Sequence, residues 1–238
     1  MNPLQTIRPE LLTFSAEQMQ ALMPVLLGLG GVVLGMIAAI FKWMAPRWSV
    51  PALTILALVA GAVVAIDRVG MPTQLLFNGM LVSDAFGHFF TAVFFICAAI
   101  SAFVSFRYLD REQLQYPEYY LLLLFSALGM AFMASATELV TMFICLELMS
   151  LSIYVLVGFR RNDRRSNEAA MKYFTLGSVA SAVLLYGMAL VYGATGSLQI
   201  REILSWIQQH PESMDGIFMI GSWLIVIGFL FKVASVPF

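Results

Sequence analysis

Apolar residues in this chain fall in long runs, not in the alternating or three-to-four spacing of a water-soluble fold. Seven runs stand out: Ala21–Trp43, Val50–Ile66, Ala85–Tyr108, Tyr119–Ser135, Leu139–Phe159, Ala169–Tyr192 and Gly216–Val236. Each is close to the ~20 residues that a helix needs to cross a bilayer core. The pattern predicts an all-α, polytopic transmembrane helix bundle of about seven spans. Connections are short except for Gly193–Asp215. There Ile200, Ile203, Leu204 and Ile207 recur at helical spacing, which predicts a short amphipathic helix at the membrane interface. Pro117 marks a helix start, and Tyr116, Tyr119 and Tyr120 beside it read as an aromatic interface belt.

Composition sharpens this picture. The chain is 61% hydrophobic and 11% charged, with a mean hydropathy of +0.87, which excludes an ordinary soluble domain. A net charge of −1 leaves no basic footprint for nucleic acid. Cys97 and Cys145 sit inside apolar runs without metal-type or CxxC spacing, so they read as packing residues. Residues 1–20 lack a basic start and a small-residue cleavage site, so the first apolar run is expected to stay as an anchor. Gly28, Gly30, Gly31 and Gly35 lie within that run. No GK[ST] follows them, so close helix packing is the expected use.

The basic residues set an expected orientation. Lys42, Arg47, Arg107, Arg111, Arg160, Arg161, Arg164, Arg165 and Lys172 fall on one side, and Arg8, Arg68 and Arg201 on the other. Nine against three places the Arg160–Arg165 loop in the cytoplasm and the N-terminus outside.

Charge inside the runs points to chemistry. Glu147 is the ninth residue of LVTMFICLELMSLSIYVLV, which is otherwise uncharged. An ionisable group at mid-membrane costs several kcal/mol unless paired, protonated or hydrated, and its usual role is ion or proton movement. Ser150, Leu151 and Tyr154 follow at i+3, i+4 and i+7 and share its face. The alternative is a protonated Glu bonded to a neighbouring helix. Lys232 lies in the last run, where burial would disfavour its ammonium form; its alternative is snorkelling to the cytoplasmic interface. Pro237 is expected to break the helix around Lys232 by freeing the carbonyl of Val233. Counted from the outer ends of their runs at ~1.5 Å per residue, Glu147 lies about 12 Å deep and Lys232 about 24 Å. Lys172, one turn into the sixth run, reads first as a snorkelling lysine. His88, with Asp84 at i−4, reads as a packing or interfacial histidine rather than a relay. Glu138, at the outer end of the Glu147 run, reads as solvated. No nucleophile–base pair, haem or iron–sulfur motif or nucleotide loop is present in the sequence, so if the chain belongs to an enzyme, any redox chemistry is expected in other chains.

Three stretches carry a family likeness. PEYYLLLLFSALGMAFMASATELVTMFICLELMSLSIYVLVGFRR, EAAMKYFTLGSVASAVLLYGMALVYGATGSL and FKVASVPF resemble the antiporter-like subunits of proton-translocating NADH–quinone oxidoreductase (complex I), and among them subunit N. The likeness is strong from Pro117 to Phe238; residues 1–116 match in layout only. It implies an N-terminal segment with three leading helices over 1–116. It also implies an incomplete first antiporter-like repeat over 117–238, holding helices 4 to 7 of an inverted-repeat fold with the last helix broken. It further implies proton translocation through Glu147, Lys232 and Lys172, which match the family's helix-5 glutamate, helix-7 lysine and helix-6 lysine. Partners would be neighbouring antiporter-like and other membrane subunits in a bacterial cytoplasmic (inner) membrane. Flavin, iron–sulfur clusters and quinone would lie in those partner subunits and none in this chain. A multi-subunit cation/proton antiporter and a purely structural membrane anchor are the competing expectations.

Overall fold

The computed structural model describes residues 16–40, 48–211 and 216–236. Arg8, Lys42, Arg47 and Pro237 lie outside the described residues. Among the described residues, six helices are long and apolar enough to cross a membrane: α2 (Met23–Ile40), α3 (Ser49–Arg68), α4 (Ala85–Arg111), α5 (Pro117–Ser135), α6 (Leu139–Val157) and α7 (Arg164–Thr195). A short α1 (Ala16–Ala21) precedes them. The amphipathic α8 (Ile200–Gln209) and the apolar α9 (Ile217–Lys232) follow. The protein is a multi-pass membrane helix bundle.

The sequence signals act locally as expected. Pro117 takes a first-turn position of α5, where its missing N–H costs no helical bond. Asp84 caps α4 by accepting from the Gly87 amide at 2.7 Å, which satisfies one of the free N-terminal donors. Asp163 caps α7 through the Arg165 amide at 2.9 Å. On α2 the glycines do pack: Gly28 faces Leu128, Gly31 faces Ala57 and Gly35 faces Leu121, while Gly30 faces open space. The helix therefore sits against α3 and α5. Leu58, Phe95, Leu124 and Leu128 fill the centre of this first group, with no exposure. A second core joins α6, α7 and α9 through Leu146, Leu184 and Met188, with Ile225 and Phe229 against them.

Several details differ from the sequence pattern. The seventh span, expected over Gly216–Val236, is helical only over Ile217–Lys232. The sixth begins earlier, because the capped polar turn at Arg164 winds directly into the apolar run. Tyr120 has no exposure and belongs to the core rather than to an aromatic belt. Tyr116 and Tyr119 do pack edge-on against Phe159. The connection from α3 to α4 holds an antiparallel hairpin, β1 (Gln74–Leu76) with β2 (Leu81–Ser83). Its tip turns through positive φ at Phe77, Asn78 and Gly79. Strands this short leave no alternation to read in the sequence.

That hairpin shapes the start of α6. The Thr137 side chain donates to the Gly79 carbonyl at 2.5 Å, and its amide donates to Met80. The Leu139 amide donates to the Leu198 carbonyl, and the Ile200 amide to that of Thr137. Gln199 also donates to the Asn78 carbonyl at 3.2 Å. The hairpin, the α5–α6 turn and the α7–α8 turn are thus tied together at one end of the bundle. Backbone groups that α6 leaves unpaired there find partners. Ile200 and Leu204 of α8 stay exposed, as its interfacial reading requires.

Candidate functional site

The site lies where α6, α7 and α9 meet. On α6, Glu147, Ser150 and Tyr154 line one face; Ser150 and Tyr154 are buried. Leu151, expected on the same face, points outward and is exposed. Lys232, the last residue of α9, reaches across to α6. Its Nζ donates to Glu147 Oε1 at 3.3 Å, Ser150 Oγ at 3.2 Å and Tyr154 Oη at 3.2 Å. Three acceptors match the three donors of an ammonium group. The Lys232 and Glu147 side chains are 9% and 22% exposed, so this ion pair is largely withdrawn from solvent. The snorkelling alternative for Lys232 does not describe this geometry.

The depth difference counted along the runs does not keep the two charged groups apart: the Lys232 ammonium meets Glu147, Ser150 and Tyr154, which span about two turns of α6. Counting from the ends of the runs assumes that all helices start at one level. The position of α9 is set instead by close contact with α7: a Cβ at Gly221 would come within 2.9 Å of the Gly187 carbonyl oxygen, and one at Gly228 within 2.7 Å of Leu184 Cβ. Approaches this close form only where a residue has no side chain, and they hold α9 near enough for Lys232 to reach Glu147. The helix then breaks. Val233 caps α9, Ala234 adopts φ +51, and the Ser235 amide donates back to the Leu230 carbonyl at 2.9 Å. The ammonium therefore sits at a helix C-terminus, where the macrodipole favours positive charge.

A third helix completes the site with a residue that the sequence reading did not select. Ser181 of α7 donates to Glu147 Oε1 at 2.5 Å. One turn earlier, Gly177 leaves room for the Tyr154 hydroxyl, which a Cβ there would overlap. The Tyr154 ring packs edge-on to Tyr173, with centroids 4.7 Å apart, and to Phe174. The only sequence trace of this face is the small-residue spacing Gly177–Ser181.

The other candidates lie elsewhere. Lys172 pairs with Glu168 one turn before it at 2.7 Å and is 71% exposed. His88 is buried and bonds Ser83 Oγ at 2.8 Å, in keeping with a packing role. Glu138 precedes α6 and accepts from Thr141 at 2.9 Å.

Chemically, the cluster joins one acid, one base and three hydroxyls in a largely dry space. A charge change on either ionisable group is felt directly by the other. Such a pair can take up a proton at the acid and give one up at the base.

Comparison with known proteins places the chain among membrane subunits of respiratory complexes. Residues 136–238 match the family described as NADH:quinone oxidoreductase/Mrp antiporter, transmembrane. NADH-quinone oxidoreductase subunit N of Trichlorobacter lovleyi is 44% identical over 162 residues, which is 68% of this chain and 33% of that protein. Subunit N 2 of Rhizobium meliloti is 40% identical over 191 residues, covering 80% of this chain and 38% of the relative. The chain thus spans little more than a third of the length of these curated relatives. A chain of respiratory complex I from Thermus thermophilus superposes with a TM-score of 0.74 at 28% identity, over 90% of this chain and 45% of that one. A chain of an archaeal membrane-bound sulfane sulfur reductase shares the fold, with a TM-score of 0.74 at 21% identity over 88% of this chain and 44% of that one.

Proposed function

We propose that this chain, with its likeness to subunit N, works as a proton-translocating membrane part of an NADH–quinone oxidoreductase, and that Glu147 and Lys232 are its proton-transfer pair. The observation that carries this reading is the 3.3 Å contact between an acid and a base on two separate apolar helices. The cycle balances in charge. A proton loaded on Glu147 removes the negative partner of Lys232, whose ammonium then releases a proton on the far side. Transfer from the neutral carboxyl to the neutral amine restores the ion pair, and one proton has moved.

Lys172 enters this reading as a separate station. It lies nine residues before Ser181 on α7, ~14 Å along the helix axis. Electrons are handled by partner subunits with flavin, iron–sulfur clusters and quinone, and neighbouring antiporter-like subunits flank this one. The chain lies in a bacterial inner membrane, with the Arg160–Arg165 loop in the cytoplasm and the N-terminus outside.

The family description also names the Mrp antiporters, so a cation/proton antiporter subunit is the second reading. Purification separates the two: flavin- and iron–sulfur-containing partners support the oxidoreductase, and their absence supports the antiporter. The pair itself is tested by Glu147→Gln in the assembled complex. Proton pumping is expected to fall strongly while assembly persists. Unchanged pumping would reduce the pair to a structural anchor.

A further inference from the structure

We propose that Ser181 is a positioning residue for Glu147, holding its carboxyl group against Lys232. This rests on the proton-transfer reading of the pair.

Hydroxyls on apolar helices usually bond the carbonyl one turn back. Ser101, Ser152, Thr175, Thr195 and Ser222 all do so here, donating to Cys97, Leu148, Met171, Val191 and Phe218. Ser181 instead sends its proton across to α6, to a carboxylate 34 residues earlier in the chain, at 2.5 Å. Both Ser181 and Lys232 donate to the same oxygen, Oε1. The serine therefore orients the carboxyl toward the lysine. A serine hydroxyl carries no charge of its own, so it fixes the carboxyl without supplying a competing ion.

The surroundings leave Ser181 this role. The charge facing Glu147 from α9 is Lys232, and α6 adds the Tyr154 phenol, with the Cys145 thiol two residues before Glu147. On α7, Tyr173 packs on Tyr154, and the helix's charges, Arg164, Arg165, Glu168 and Lys172, all lie in its first three turns. Helix α5, packed on the other side of α6, carries its only charge, Glu118, in its first turn. Ser181 is thus the neutral donor aimed at the carboxylate.

The test compares Ser181→Ala, Ser181→Thr, Ser152→Ala and Glu147→Gln in the assembled membrane complex. Pumping is measured against pH, and the protonated-carboxyl infrared band of Glu147 is identified by its loss in Glu147→Gln. In Ser181→Ala the carboxyl loses the bond that orients it toward Lys232. Its band is therefore expected to shift, and the pumping profile to fall about tenfold across the pH range while assembly persists, the size of one lost hydrogen bond to a charged group. Ser181→Thr, which keeps the hydroxyl, should retain the parent profile. Ser152→Ala removes a buried hydroxyl bonded only along its own helix and should leave the profile in place. A parent profile in assembled Ser181→Ala, or an equal fall in Ser152→Ala, would overturn the proposal. Normal pumping in Glu147→Gln would instead overturn the proton-transfer reading itself, so the two failures are distinct.

Discussion

Replacing Glu147 by Gln and Lys232 by Ala, singly and together, probes the coupling between acid and base directly. At 3.3 Å two unit charges attract with ~5 kcal/mol at an effective permittivity of ~20. Withdrawal of both ions from water offsets much of that attraction. Ser150, Tyr154 and Ser181 lower the cost by bonding the charged groups. A net coupling of ~1–3 kcal/mol is expected, equivalent to ~5- to 150-fold in an equilibrium. That matches the work of moving one charge through a membrane potential, ~2.3 kcal/mol per 100 mV. The pair can therefore gate a charge-moving step rather than merely accompany it. In inverted membrane vesicles driven by NADH, each single change should strongly reduce quenching of a pH-sensitive dye. Native gels should show largely intact assembly. On a logarithmic scale the double variant should lose less than the two single losses combined, because the second change removes an already broken interaction. Normal stoichiometry in Glu147→Gln, or strictly additive losses, would refute the reasoning.

Three other outcomes follow from the same geometry. Gly177→Ala should displace the Tyr154 hydroxyl and remove one of the three acceptors of Lys232, slowing pumping several-fold; a parent rate in assembled Gly177→Ala would show that Tyr154 is dispensable. Lys172→Met, in a station separate from the pair, should lower pumping less than Glu147→Gln, and an unchanged rate would remove Lys172 from the proton path. A cysteine placed at Asn162 should resist an impermeant thiol reagent applied outside intact cells, whereas rapid labelling would reverse the topology derived from the basic residues.

What the sequence reveals depends on contrast. Glu147 stands out because a single charge in an apolar run of helical length has few bland explanations. Ser150 and Tyr154 follow from helical periodicity, although Leu151 shares that periodicity and turns outward. Periodicity fixes angle around an axis, not which neighbour occupies it. The contact with Lys232 is not legible in the sequence, because it depends on how closely α9 seats against α7. That seating comes from backbone approaches at Gly187, Gly221 and Gly228, which look like ordinary membrane-helix glycines. Ser181 was hidden for a similar reason. Serines are unremarkable in apolar helices, and only the packed geometry reveals which one forgoes the carbonyl of its own helix. The hairpin escaped because its strands are three residues each.

Helix α7 therefore matters to the Glu147–Lys232 pair through residues that carry no charge. Helix α6 supplies the acid and two hydroxyls, and α9 supplies the base, but these groups meet only because the α7 face is thin. Gly177 yields space to Tyr154, Ser181 offers a short donor to Glu147, and Gly187 admits the backbone of α9. A row of leucines at these positions would bury more apolar surface and pack well against lipid or protein. It would also hold α9 away from α6 by the thickness of a side chain, leaving each ion to face the low-dielectric interior alone. An unpaired buried charge is the costlier arrangement, so acid and base can coexist at this depth only with small residues on the helix between them. The constraint that makes the pair tolerable is the same one that couples its two protonation states.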